Sequence, residues 1–262
     1  MEQTKTRPRT IVSLTSFPGA INYAPGAILS VLKGSVRPDK LVLYVTKSQF
    51  EGQPLPEAIR EIEREYPNFE VRDYPRDIRS YRKLVPALRD FPDDIIVTID
   101  DDVDYHSEML AELLKAHERY PEDIIAHRTK RVKPGAPYKK WKKYRWYHFL
   151  LKRWHRHYYT MQTGVAGVLY PPGVLKKEMI DDELFTRLSP TADDIWFWAA
   201  AVANGRKVTP VPFGRNKPKG LGKPRHLSLK WGNFKSGVDR NRQQFEAILA
   251  EYPEIKVRLA EG

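Results

Sequence analysis

The chain contains no cysteine. Disulfides, thiolate metal centres and a cysteine nucleophile are therefore excluded, and the composition suits a reducing compartment. Long apolar runs are also absent. No stretch reaches the roughly 20 residues needed to cross a bilayer, and Met1 to Thr10 lacks the apolar core of a secretory signal. These features predict a cytoplasmic protein, with a peripheral position on the inner face of the plasma membrane as its closest approach to lipid. Acidic residues are missing from one segment: between Arg128 and Tyr159 there are 12 Lys or Arg and no Asp or Glu. The other 33 basic residues balance the 33 acidic ones, so this segment carries the whole formal charge of +12. That pattern predicts a local docking surface and argues against a nucleic-acid partner, which would call for a broad basic face.

With 262 residues and 30.5 kDa the chain can bury one large core. Its first half alternates strand and helix signals. Thr10–Thr15, Lys40–Thr46, Phe69–Asp73 and Ile95–Ile99 read as strands. Pro25–Lys33, Glu57–Tyr66, Ser80–Arg89 and His106–Arg119 read as helices, with Pro25 opening the first and Pro67 closing the second. The alternation predicts an α/β fold with a mainly parallel sheet and helices on both faces. The second half is less regular, with helices predicted from Ala192 to Asn204 and from about Val238 to Glu251. One domain with three stretches is expected: a donor-binding half (1–127), a basic aromatic segment (128–160) and an acceptor or catalytic half (161–262).

The apolar run Ile95-Ile96-Val97-Thr98-Ile99 ends abruptly in Asp100, Asp101 and Asp102. Clustered carboxylates at a strand exit are costly unless a cation neutralises them, and hard oxygens suit Mg²⁺ or Mn²⁺. In a parallel sheet the exits of neighbouring strands share one crevice. Thr15, Ser16 and Phe17 are expected to face that crevice too. Arg76, Arg79, Arg82 and Lys83 lie just before the acid-tipped strand and can offset diphosphate charge. A second acidic pair, Asp193 and Asp194, opens an otherwise apolar helix whose N-terminus favours anions; ordinary capping by Thr191 or Asp193 is the alternative. Gly164, Ala166 and Gly167 allow close approach of a ligand or close packing. The Lys- and Gly-rich loop 214–224 reads as a lid or as a disordered basic loop. Trp141, Tyr144, Tyr147, Leu151, Trp154 and Tyr158 recur at helical spacing among cations, which predicts an interfacial helix on anionic lipid over 138–159. Single-stranded nucleic acid and burial against the domain are the other readings.

In this order along the chain, these motifs resemble the nucleotide-sugar-dependent glycosyltransferases of the GT-A fold, most of all the bacterial family-2-type enzymes of surface polysaccharide synthesis. The resemblance covers about residues 10 to 235. Ile11 to Phe17 matches the family's opening strand and nucleotide-cradling exit, and Ser30 to Lys40 matches its link to strand two. Asp100-Asp101-Asp102 matches its Asp-x-Asp motif. The resemblance implies that Asp102 binds the metal directly and that Asp100 contacts it through water or touches the donor's ribose. It implies donor contacts for Asp101 and for Lys83 within Lys83–Leu88, a late metal ligand at His226, and a general base at Asp194 with Asp193 positioning the acceptor, although these two can be exchanged. It further implies Mn²⁺ or Mg²⁺, a nucleotide-sugar donor of the UDP-linked type, inverting transfer, and a glycan or lipid-linked acceptor. Two other classes remain open on the residues alone: a metal-dependent nucleotidyltransferase or nucleic-acid enzyme using the same Asp cluster, and a non-catalytic membrane module whose acids only cap helices.

Overall fold

A computed structural model of the chain describes residues 7–144, 156–212, 217–224 and 238–261. His226 lies outside the described residues, as do Tyr147, Leu151 and Trp154 of the aromatic stripe. Among the described residues the strands are β1 (Thr10–Thr15), β2 (Lys40–Val45), β3 (Phe69–Asp73), β4 (Ile95–Thr98), β5 (Val103–Asp104), β6 (Ile124–Ala126), β7 (Thr129–Arg131), β8 (Thr160–Gln162), β9 (Val168–Tyr170), β10 (Val208–Pro210) and β11 (Lys219–Gly220). The helices are α1 (Ala24–Leu32), α2 (Glu57–Glu65), α3 (Val85–Asp90), α4 (Met109–Arg119), α5 (Asp182–Leu188), α6 (Asp193–Ala203), α7 (Arg240–Glu251) and α8 (Glu254–Glu261).

Seven strands form one sheet in the order β10-β6-β9-β4-β1-β2-β3. All its pairings are parallel except those of β9, which runs antiparallel to both β4 and β6. The strands read as unbroken apolar runs because both faces are covered. Successive side chains alternate between two cores: Ile11, Val42, Ile96 and Val168 join Trp196, Trp198 and Phe245 of α6 and α7, while Val12, Leu41, Leu43, Val97 and Leu169 join Ile28 of α1 and Leu113 of α4. Parallel pairing puts the C-terminal ends of β1 and β4 side by side, with Ser13 opposite Thr98. The exits Thr15–Phe17 and Asp100–Asp102 therefore open on the same edge.

Two helices differ from expectation. The segment expected to be helical over Ser80–Arg89 is a 3-10 turn over Arg79–Lys83, followed by α3. Pro86 has no N–H with which to continue a helix begun at Ser80, and the break turns Arg82 and Lys83 inward, where both are buried. The helix expected from His106 begins at Met109.

The larger correction concerns the aromatic stripe. Its described part is not helical: a single 3-10 turn at Tyr138–Lys140 gives way to extended backbone at Trp141. The flanks pair instead as the antiparallel strands β7 and β8, and the Tyr144 N–H donates to the Thr129 carbonyl at 2.9 Å. Trp141 is 3% exposed and packs edge-on against Phe245 of α7, with ring centroids 5.0 Å apart. Tyr158 packs against the same core, and its carbonyl accepts the Trp198 indole N–H at 2.8 Å. These rings face protein, and their spacing reports core contacts made by an irregular chain. Trp141→Ala should accordingly lower unfolding free energy by about 3–5 kcal/mol in urea titration, the cost of a deleted core aromatic; a lipid-facing ring would leave stability in solution unchanged.

Candidate active site

The β1 exit is held from beneath by Arg82. Its guanidinium donates to Thr15 Oγ1 at 2.7 Å, to the Ser16 carbonyl at 2.8 Å, to Gln49 Oε1 at 3.2 Å and to Thr46 Oγ1. With 2% exposure it is neither a solvated surface charge nor a free phosphate ligand. It fixes the loop that carries Ser16 and Phe17. Arg79 lines the crevice in the left-handed region at φ 54°, a conformation that a non-glycine residue adopts only when its surroundings impose it; Asp77 Oδ1 accepts its N–H at 3.0 Å.

The three acids at the β4 exit face different ways. Asp101 turns inward, where Ser16 Oγ donates to its Oδ2 at 2.5 Å and Lys223 to its Oδ1 at 2.9 Å. Burial pushes its pKa up, and the Lys223 ammonium opposes that rise. Asp102 is more open and receives the same ammonium at 2.9 Å on Oδ2. Asp100 points to Lys83, its Oδ1 lying 3.1 Å from Nζ, while its backbone N–H donates to Tyr105 Oη at 2.8 Å. Lys223 reaches the acids because β11 pairs with β5 and the Leu221 N–H donates to the Asp102 carbonyl at 2.8 Å. The described part of the Lys/Gly-rich loop thus lies across the acid tip. A lysine ammonium bridges these two carboxylates, Asp101 and Asp102. Hard carboxylate oxygens with room beside them fit Mg²⁺ or Mn²⁺, which keep water and substrate oxygens in their shell.

The second acidic pair meets the first through Lys83. Lys83 Nζ lies 3.5 Å from Asp193 Oδ2 as well as 3.1 Å from Asp100 Oδ1. Burial alone would lower its pKa; Asp100, Asp193 and Asp194 outweigh that and hold the ammonium well above its ordinary range. Asp193 and Asp194 occupy the first turn of α6, and neither Thr191 nor Asp193 caps it: residue Ala192 is the N-cap and makes no side-chain bond. Thr191 engages Gln244 of α7 instead. Asp194 Oδ1 accepts the Gly164 N–H at 2.9 Å. Its pKa is pushed up to about 7, first by burial, then by the negative charge of Asp193 and of Asp100, against the opposing pull of Lys83 and Gly164. Gly164 is needed for space, since a Cβ there would come within 2.4 Å of Lys83 Nζ. Gly167, at φ 89°, packs instead against Met109 in the core.

These groups line one cavity of about 1050 Å³. Thr15, Ser16, Phe17, Arg79, Lys83, Asp100, Asp101, Asp102, Asp193 and Asp194, all singled out from sequence, converge on it. Five basic lining residues were not anticipated individually: Lys223, and Arg128, Lys130, Lys139 and Lys143 from the basic segment. The run of unopposed cations over 128–159 was the signal available for four of them; that they turn toward the acids was not legible.

No protein-family model and no curated protein matches the sequence. Solved structures match the fold. S. aureus TarS 1–349 superposes with a TM-score of 0.53 at 14% identity, covering 79% of this chain and 58% of that one. Its complex with UDP gives 0.53 at 16% identity over the same shares. The mannosyltransferase PcManGT from Pyrobaculum calidifontis, in complex with GDP-Man and Mn²⁺, gives 0.52 at 16% identity, covering 98% of this chain and 74% of that one. The fold is the Rossmann-like, mainly parallel GT-A arrangement shared with these glycosyltransferases.

The raised pKa has a thermodynamic consequence. Folded Asp194 keeps its proton to about pH 7, whereas the unfolded chain releases it near 3.8. Between those values the native state binds the extra proton, so the contribution of Asp194 to stability falls as pH rises. In denaturant titrations from pH 4 to pH 8, the stability of wild type relative to Asp194→Asn should decline across this window and level off above it. A flat difference would mean that Asp194 ionises normally.

Proposed function

We propose that the chain is a metal-dependent inverting glycosyltransferase, moving a sugar from a nucleoside-diphosphate donor to a hydroxyl of a glycan or lipid-linked acceptor in surface polysaccharide synthesis. The observation that carries this reading is that one buried ammonium, Lys83, joins the acid-tipped exit of β4 to the acidic start of α6 across a single crevice. A cation-binding acid cluster and a carboxylate poised near neutrality are thereby brought together. The shared fold supports the reading, as does the presence of UDP in one neighbour and of GDP-Man with Mn²⁺ in another.

In this mechanism Thr15 to Phe17 cradle the nucleotide, and Asp102, with Asp100 beside it, would hold Mn²⁺ or Mg²⁺. A bound divalent ion supplies positive charge to the diphosphate that leaves. The acceptor oxygen attacks the anomeric carbon on the face opposite the diphosphate. Asp194 takes the hydroxyl proton as the carbon–oxygen bond to the diphosphate breaks, and the bonding pair departs with the nucleotide. Gly164 fixes Asp194 through Oδ1, and the other carboxylate oxygen is the one that takes the proton. Asp193 is held by Lys83 and positions the acceptor. Arg128, Lys130, Lys139 and Lys143 on the crevice wall favour a donor or acceptor rich in phosphate. A lipid-linked acceptor and a peripheral position on the membrane rest on residues 145–155, and no described helix is long and apolar enough to cross a membrane.

Turnover of a nucleotide sugar is the direct test, with UDP-linked hexoses tried first and GDP-mannose second, each with and without Mn²⁺. Asp194→Asn should lower transfer by about 10²–10⁴-fold, the usual contribution of a general base, while nucleotide binding measured by calorimetry persists. Asp102→Asn should abolish transfer and also the Mn²⁺-dependent part of nucleotide binding. Full turnover in either variant would refute its role. Because the base acts deprotonated, wild-type kcat/KM should rise with pH through about 7.

A further inference from the structure

Outside the crevice, two histidines and a glutamate converge on one point. His106 Nε2 lies 3.6 Å from Glu112 Oε2, and His127 Nε2 lies 3.4 Å from the same oxygen. All three donor atoms fall within 4.8 Å of one another, and none of the three residues lines the crevice. With metal bonds of about 2.0–2.2 Å, ligand atoms around a tetrahedral ion stand about 3.4 Å apart, close to the two contacts seen. We propose that His106, Glu112 and His127 form a second metal site, specific for a divalent transition ion of the zinc class.

The pointer to an ion is His106. The His106 side chain is 6% exposed, and its Nε2 is buried and makes no hydrogen bond. The His127 ring is fully buried, and its Nε2, the nitrogen that faces Glu112, also lies 3.5 Å from the Met109 carbonyl, a contact that an ion would replace. Two imidazole nitrogens and one carboxylate oxygen suit Zn²⁺, Co²⁺ or Ni²⁺ better than Mg²⁺ or Ca²⁺. The Glu112 side chain is 25% exposed although its Oε2 is buried, so the cluster lies just beneath the surface. The backbone is also prepared. The Tyr105 N–H donates to Ser30 Oγ at 3.1 Å, the Ser35 N–H donates to the Ser107 carbonyl at 3.0 Å, and the Met109 N–H donates to the His106 carbonyl at 3.1 Å. His106 is thus clamped between α1 and the start of α4. An ion here would staple the first turn of α4 to the exit of β6, one residue before Arg128 of the crevice wall.

The test is a Co²⁺ titration of EDTA-treated full-length protein, followed by the visible absorption of tetrahedral Co²⁺. It should be run on wild type and, to remove the crevice site, on Asp102→Asn. About one equivalent should give the band in both proteins, with Zn²⁺ displacing it and raising Tm. Glu112→Gln and His106→Gln, checked for folding by circular dichroism, should weaken Co²⁺ binding at least about tenfold. Absence of the band in wild type, its loss in Asp102→Asn, or its survival in Glu112→Gln and His106→Gln would each overturn the assignment. The wild-type titration decides the matter even if a variant fails to fold. The readout is independent of sugar transfer, so the glycosyltransferase proposal can fail while this one stands.

Discussion

The site depends on an imbalance of charge: one buried ammonium, Lys83, serves three carboxylates. It lies within ion-pair reach of Asp100 and Asp193 and within electrostatic reach of Asp194. A lysine taken out of water is held charged only by partners that outweigh its desolvation, and here the acids do so. Because the single positive charge is divided, it cannot neutralise all three. Asp194 is buried, and the negative charge of Asp193 that Lys83 does not cancel adds to the cost of ionising it, so it holds a proton to about pH 7. Lys83 thus joins two distant chain segments and limits how far burial and Asp193 raise the Asp194 pKa.

Lys223 plays a comparable part at the other end of the acid cluster, but with a different standing. Lys83 is wedged beneath Gly164 on the 3-10 turn below β1, where a methyl group would collide with it. Lys223 lies three residues beyond the two-residue strand β11, whose residues are both exposed. It donates to Asp101 and Asp102 from a segment held by few buried contacts. The two ammoniums are buried to similar degrees, with side chains 12% and 10% exposed, but only Lys83 sits among core elements. Asp101 is further tied by Ser16, leaving Asp102 the more available carboxylate. The geometry thus gives three consecutive aspartates different partners and different exposure, a distinction that composition does not contain.

Much of the fold was legible because its determinants are local. Apolar runs ending at polar residues gave β1 to β4 nearly to the residue, and Pro25, Pro67 and the acids before Ile195 marked helix ends. The crevice followed from parallel pairing, which aligns strand exits. What escaped has non-local causes. β6, β9 and β10 have three residues each, too few for a periodic signal, and their identity as strands comes from pairing partners far along the chain. Arg82 read as a free cation because nothing near it in sequence shows that Thr15, Ser16, Thr46 and Gln49 will surround it. Trp141 followed a helical spacing that its backbone does not adopt, since Phe245, more than a hundred residues later, supplies its contact.

The charge pattern shows the same division between what a sequence states and what folding decides. A segment with 12 cations and no acid must lie where its self-repulsion is relieved. Membrane lipid is one source of relief, and the acidic crevice is another. In the described residues, four of those cations line a cavity that also contains Asp100, Asp101, Asp102, Asp193 and Asp194, so part of the compensation is internal. Arg156 of the same segment is met elsewhere, by the buried Asp123. The net charge that set one segment apart thus acts on the same crevice as the acids: carboxylates at its base hold cations, and cations on its wall attract anions. Under the proposed function, a metal-bound diphosphate would satisfy both at once.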